Sequence, residues 1–468
     1  MSDIVTTQIF TDGEKGITAT KMNNIVAGST IQTDFYANKP ASSTLDPTDQ
    51  LLELKSSGSY ARITGAQLSS SVAGQLPLAT TSQPGMLNTI SGNATDFVDG
   101  TNHCQNLANA VKTVGIRSYN ALGNSTFECD QFNCGATVAN PATATRLIDR
   151  WFNQKIGTLV ASFRQTVGAA NEVLVPGSNF AISRNFLRTT ITTAEASLAT
   201  GDNLTLYTQI EGPNFRELQY DVHSVQLLVR SSVAGLKFGL GIRDPGATTK
   251  SLTKLGTITS ANTWTLVSFP NIPVFPSGNF STAPGTLGYL LSICLAAGTA
   301  LTAPANDTWQ NGNFIGATGQ SNFASATGTF DVAFVQHEPG AVCSTPIDKP
   351  FVQNLDECLR YFAKSYDYAV KPGTNSSLGA RYMTVQPQNT QYVQGPTPFP
   401  KPMAKDPTVN IWSTDGTANA VQISAGANVS VTGAVGNVGQ SGFGYMQLAS
   451  SQSANYQVQF HYSSDTGW

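Results

Sequence analysis

Asp96, Asp99, His103 and Cys104 fall within nine positions, in the run SGNATDFVDGTNHCQNLANAV that spans 91–111. Carboxylates, an imidazole and a thiol so close together are the donor types of a divalent-metal site. The surrounding pattern favours another use. Cys104, Leu107, Val111 and Val114 recur at spacings of three, four and three, and Gly115 follows. That is the apolar stripe of a short helix with a glycine stop. Asp99 would cap the helix and Asp96 would sit in the turn before it. On this reading Cys104 packs, and neither a metal nor a cofactor is expected.

Acid–base chemistry has one candidate pair, Glu128 and Asp130. In an extended strand, alternate residues share a face roughly 6–7 Å apart, a separation that some glycosidases use. Cys129 between them points to a partly buried strand or turn, so hydrolysis is not the preferred reading. The histidines at 103, 223, 337 and 461 are far apart, and the chain has no phosphate loop, GxSxG or HExxH. No catalytic residue is assigned, and the chain is expected not to be an enzyme.

Sugar recognition needs an aromatic platform for C–H faces and amides or carboxylates for hydroxyls. Trp309 meets that description best. It lies in NDTWQNGN with Asn306, Asp307, Gln310, Asn311 and Asn313 around it. The competing reading is that Trp309 plugs a sheet edge. Trp151 and Trp264 lie in strand-like runs and read as core. Tyr361, Phe362, Tyr366 and Tyr368 read as packing residues at a helix exit.

The elements that must carry these groups are mostly strands. Of 468 residues, 12% are charged, about half the usual share. The 42 glycines and 23 prolines are spread along the chain, which suits short strands joined by turns. The net charge of −3, without a basic cluster interleaved with aromatics, gives no reason to expect a nucleic-acid partner. The start MSDIVTTQIF lacks the pattern of a cleavable signal peptide. YLLSICLAAGTALTA (289–303) is too short and too interrupted to span a bilayer and reads as a buried strand followed by a turn. Six irregularly spaced cysteines read as free thiols rather than a disulfide framework.

Four regions follow. Residues 1–79 hold short elements: a helix in GITATKMNNIVAGS and a hairpin in DQLLELKSSGSYARIT (49–64). Residues 80–142 contain the helical stripe. Residues 143–345 carry strand-like runs every 10–15 residues, among them NLTLYTQIEG, SVQLLVRSS, GLKFGLGIRD, TWTLVSFPNI, LGYLLSICLAA and the alternating, half-buried TFDVAFVQHE. That count fits a jelly-roll sandwich. Residues 346–468 give a short helix, with Asn354 as cap and Leu355, Cys358, Leu359 and Phe362 as its stripe, then a small β-domain. The expected fold is mainly β: an elongated chain with a small N-terminal region, a short helical neck, a jelly-roll β-sandwich and a C-terminal β-domain.

Several stretches, in order, resemble bacteriophage tail-fibre proteins. TTSQPGMLNTISGNATDFVDGTNHCQNLANAV (80–111) is similar to their neck segment. RLIDRWF (146–152), TTAEASLATGDNLTLYTQIEG (192–212), TWQNGNFIGATGQSNFASATGTFDVAFVQHEPGAV (308–342) and LDECLRYFAKSYDY (355–368) resemble their jelly-roll module. FTDGEKGITATKMNNIVAGS (10–29) is similar to the virion-anchoring start of podophage fibres, and FHYSSDTGW (460–468) to their ending. The resemblance implies a homotrimeric virion appendage made in bacterial cytoplasm. Its N-terminus would be docked on a portal, adaptor or tail protein, with Cys104, Leu107, Val111 and Val114 at the trimer neck. The jelly roll's similarity to carbohydrate-binding modules implies host-surface polysaccharide as a partner. Ile17, Met22, Ile25 and Phe35 would be docking residues, or equally the small region's own core. The alternatives are a head fibre or collar protein that binds no receptor, and a polysaccharide-degrading tailspike.

Overall fold

The computed structural model describes residues 119–468 except 170–172, 179–180, 247–249, 424–425 and 433–434, together with the backbone of four short strands before them. The chain divides into two compact units, 1–110 and 111–468. The residues proposed above for the anchor (Ile17, Met22, Ile25, Phe35) and, in the neck, Leu107, Val111 and Val114, lie outside the described residues.

In the first unit, Gln50–Leu54 (β1) pairs antiparallel with Tyr60–Thr64 (β2), as the hairpin pattern required. Asp96–Val98 (β3) pairs with Cys104–Asn106 (β4). Cys104 is therefore in a strand, and the helix expected to run through it does not include it. The sequence contained the competing signal, because Asp99-Gly100 between two short runs is a hairpin dipeptide. Two heptads of stripe are a weak counterweight to it, since a helix must first overcome a costly nucleus.

The second unit is built on a β-sandwich. Its strands are Val138–Ala139 (β5), Arg146–Ile148 (β6), Trp151–Ile156 (β7), Val160–Val167 (β8), Asn185–Thr193 (β9), Asn203–Glu211 (β10), His223–Ser231 (β11), Leu236–Arg243 (β12), Lys250–Ile258 (β13), Thr265–Ile272 (β14), Leu287–Ala297 (β15), Trp309–Asn311 (β16) and Gly328–Pro339 (β17). One sheet has the order β16-β13-β12-β15-β10-β7-β6, the other β14-β11-β17-β9-β8-β5. Between β9 and β12, each successive strand lies in the opposite sheet, as in a jelly roll. Leu204, Leu206 and Ile210 of β10 face Val225, Leu227 and Val229 of β11 across one buried core, with Trp151 fully enclosed.

Three details differ from the sequence reading. The sandwich draws in residues from 119 onward, before the expected boundary at 143. Leu122 and Phe127 belong to its core, and Val335 N–H donates to Ser125 O at 3.0 Å. β17 is buried on both faces rather than one. Its outer side carries Phe334, which packs with Phe186, Leu228 and Ile182 in a second cluster. Trp264 leaves the main core and lies half-buried against that outer cluster, edge-on to Phe186 and beneath the Arg230 guanidinium.

Phe351–Leu359 (α1) follows. Pro350 occupies its N-cap, and Asn354 is buried inside the helix, donating to Thr126 Oγ1 and Lys349 O. The proline explains the earlier start: it cannot continue a helix backwards, and its fixed φ suits the first turn. The last strand, Gln457–Asp465, organises the C-terminal β-domain. Its first half pairs with 381–384 and 422–423, its second half with 362–364 and 408–412. One long strand thereby joins two sets of partners around the core of Phe443, Phe460 and Tyr462.

A polar cleft beside the sandwich

Where β10 ends, β6 turns into β7 and α1 passes by, a cleft of about 480 Å³ opens. Its size lies within the ordinary range of small-molecule sites. Asp149 and Arg150 form the two-residue turn between β6 and β7, with Ile148 opposite Trp151. Arg150 has φ of 70°, the left-handed region that costs a non-glycine residue about 1–2 kcal/mol. It is only 2% exposed. Its guanidinium lies 3.6 Å from the centre of the Tyr361 ring, and Nη2 donates to Gln209 O. Nε and Nη1 have no hydrogen-bond partner. Burial pushes the pKa of the group below its ordinary value.

The other charged side chains of the cleft are matched in pairs. Glu211 closes β10 and is nearly enclosed. It accepts from Arg360 Nε at 2.8 Å and Nη2 at 2.7 Å, from Tyr361 Oη at 2.8 Å and from Gly285 N at 3.0 Å. Burial raises the Glu211 pKa, but these hydrogen bonds outweigh it and hold the carboxyl below its usual range. Lys349 Nζ donates to Glu357 at 2.9 Å and to Leu122 O at 2.9 Å. Lys401 pairs with Asp356. Arg150 is thus the one cation of the cleft without a carboxylate assigned to it among the described residues. The Tyr361 phenol is pushed up to about 12, chiefly by burial, and stays a neutral donor. Sequence reading assigned Tyr361 to packing; the structure makes it both the lid on Arg150 and a donor to Glu211.

The Trp309 cluster has a different fate. Trp309 sits on β16, the edge strand, half-buried between Phe275 and Phe280, with Nε1 donating to Pro273 O at 3.1 Å. Asn306 bonds Thr253 Oγ1 and both main-chain groups of Thr318. Asp307 pairs with Lys254 at 2.7 Å, Gln310 donates to Ala305 O, and Asn311 accepts from Lys250 Nζ at 2.6 Å. The structure brings these residues together, but their polar atoms hold the loop onto β13 and Trp309 closes the sheet edge.

The Glu128–Asp130 pair lies outside any strand, so the same-face spacing of a strand does not arise. Asp130 closes a turn by accepting from Asn133 N and Gly135 N at 2.9 and 2.6 Å. It also lines a second hollow with Cys134, Arg164 and Tyr368. Burial raises both carboxyls. His223 and His337 meet in the core: Tyr289 Oη bonds His337 Nδ1 at 2.6 Å, and His337 Nε2 bonds His223 Nδ1 at 2.7 Å. Cys129, Cys134, Cys294, Cys343 and Cys358 are free thiols. Among the described residues no cluster of three or more His, Cys, Asp or Glu side chains could hold a metal ion, and no helix is long and apolar enough to cross a membrane.

Sequence reasoning missed the cleft because its charges come from distant segments. The local signal was present in RLIDRWF, where an Asp-Arg pair interrupts an apolar run. A charged pair there must be either solvated in a turn or enclosed with a purpose.

No protein-family model matches the chain, and no curated protein matches it. Solved structures show a distant likeness. A family 11 carbohydrate-binding module from Clostridium thermocellum, in complex with a β-1,3-1,4-mixed-linked tetrasaccharide, has 10% identity and a TM-score of 0.24, covering 44% of this chain and 96% of that one. The module TmCBM61, in complex with β-1,4-galactotriose, has 12% identity and a TM-score of 0.23, covering 47% of this chain and 99% of that one. The enzymatically active domain of tailspike protein 4 of bacteriophage CBA120 has 9% identity and a TM-score of 0.24, covering 47% of this chain and 21% of that one.

Proposed function

We propose that the chain is a glycan-binding subunit of a bacteriophage virion appendage, attached through its N-terminal region and acting by binding rather than turnover. The observation that carries the binding half is the cleft: a ligand-sized hollow beside the β-sandwich, lined by Tyr119, Gln353 and paired charges. Such a lining offers the part-exposed Tyr119 ring to C–H groups and both donors and acceptors to hydroxyls. The ordered resemblance to phage fibres supports the virion half. The fibre reading also implies a homotrimer, with the segment around 104–114 at its neck.

Two experiments test this reading. The full chain, fluorescently labelled, is applied to an array of bacterial surface polysaccharides; saturable binding to a restricted set is expected, and binding to none would overturn the glycan assignment. Light scattering of the full chain is expected to give three times the 49.4 kDa protomer mass, and a monomer would remove the fibre-type assembly.

A further inference from the structure

Away from the cleft, the C-terminal β-domain has a sheet face open to solvent. Five strands build it, in the order Ala420–Ile423, Gln457–Asp465, Arg381–Val385, Tyr392–Pro398 and Gly442–Gln447. Side chains alternate along each strand. Met383, Val385, Val393, Met446 and Val458 enter the core, and the residues between them are exposed or half-buried. The register sorts those outward residues into three rows across the strands. The first row is Gln422, Gln459 and Tyr382. The second is Gln457, Thr384, Gln394 and Tyr445. The third is Gln386, Tyr392 and Gln447. Each row carries one tyrosine, although the whole chain has only 14. The remaining members are glutamines and one threonine, and none of the three rows contains a charge.

Resting on the glycan-binding reading for its class of ligand, but not on the cleft, we propose that this face is a second glycan surface, for an uncharged polysaccharide. Tyrosine rings suit the C–H faces of sugars, and a glutamine amide offers hydroxyls a donor and an acceptor without a charge. An anionic or cationic chain would find no counter-charge here. A protein interface has an apolar centre, and no aliphatic Val, Leu, Ile or Met stands in the three rows. The groups are also held in place. Gln386 Nε2 donates to Gln394 Oε1 at 2.6 Å, and Gln422 accepts from Thr414. The Tyr445 ring fills the space that a Cβ at Gly436 would need, so it is laid across the adjoining segment rather than standing free. It lies beside Tyr392, with ring centres 5.8 Å apart. Tyr382 is 57% exposed and stands one row and two strands from Tyr445, about 12 Å by sheet spacing. Two ring stations so far apart suit an extended chain of sugars better than a single one.

The test uses the full chain on the polysaccharide array, with dextran, mannan and β-galactan as neutral probes and polygalacturonate as a charged one. Binding to a neutral member is expected, and it should change little between about 0.05 and 0.5 M salt, because no charge pair is there to be screened. Tyr382→Ala and Tyr392→Ala are each expected to weaken it roughly three- to tenfold, the worth of one ring contact. Their melting temperatures should stay at the parent value, since the residues face solvent. Gln394→Glu and Gln459→Glu keep the rings and add charge, so they probe the face if a tyrosine variant fails to fold; each should weaken the same binding. All these losses should be as large in a Tyr119→Ala background, which alters the cleft instead. Neutral binding that survives the tyrosine and glutamine substitutions overturns the proposal and leaves the cleft as the glycan site. Binding confined to polygalacturonate and lost as salt rises also overturns it. A smaller mass by light scattering for Tyr382→Ala or Tyr392→Ala would make the face a contact between copies of the chain, against the proposal. A parent chain that binds no polysaccharide at all refutes the glycan reading itself, and this surface with it.

Discussion

Glu211 is the most informative position at which to break the molecule. Its carboxylate ends β10 and receives four hydrogen bonds, three of them from Arg360 and Tyr361 just beyond α1. It therefore joins the sandwich to the segment leading into the C-terminal β-domain. Glu211→Ala leaves the buried Tyr361 hydroxyl and the Gly285 N–H without acceptors, at about 1–3 kcal/mol each. Arg360 is one-third exposed, so water recovers much of its loss, and only a fraction of the roughly 3–5 kcal/mol for breaking a buried pair applies. The expected total is about 3–5 kcal/mol. Glu211→Gln keeps the volume and one acceptor, so about 2 kcal/mol is expected. Urea unfolding followed by tryptophan fluorescence measures both, and a cycle with Arg360→Met measures their coupling. A loss under about 1 kcal/mol for Glu211→Ala, or coupling near zero, would refute the claim that this ion pair holds the two parts together.

Three further outcomes follow from buried groups. Burial pushes Asp149 up to about 6, with Arg146 opposing, so at pH 7 its ionisation costs the fold about 3 kcal/mol relative to an ordinary carboxyl. Because the folded pKa is the higher one, stability rises as pH falls from about 6 toward 4. Asp149→Asn should be more stable than the parent at pH 7 and lose that advantage by pH 4, as denaturation at each pH would read. In that background the histidine pair becomes visible. His337 is held well below its usual pKa by burial and by His223, so the unfolded chain binds the proton first. The pair's contribution should be complete above about 6.5 and fall by up to about 1.4 kcal/mol per pH unit below it, read as the difference between the pH profiles of this background with and without His337→Gln; identical slopes from pH 7 to 5 would contradict the neutral, hydrogen-bonded pair. Trp309→Ala should cost about 2–3 kcal/mol, less than for a fully buried tryptophan, and leave glycan affinity unchanged in a binding titration.

The strands were legible because their signals are local. NLTLYTQIEG, SVQLLVRSS and LGYLLSICLAA become β10, β11 and β15 within a residue or so, each bounded by residues that favour turns. The fully buried β17 was read as half-buried because the second layer covering Phe334 comes from residues 173–186, far away in sequence. The Trp309 cluster was recognised as a loop rich in amides, but composition cannot tell whether amides face a ligand or bond their own loop. The cleft was hidden for a related reason. Arg150, Glu211 and Arg360 carry no local periodicity that relates them, and only the antiparallel pairing of β7 with β10 and the passage of α1 bring them together.

The central claim is that this chain recognises a surface glycan. The most direct measurement is binding of the labelled full chain to susceptible bacterial cells before and after mild periodate oxidation of their surface sugars. Saturable binding that is abolished by oxidation and competes with phage adsorption is the result expected. Binding that survives oxidation, or a folded chain that binds no cells at all, would contradict it.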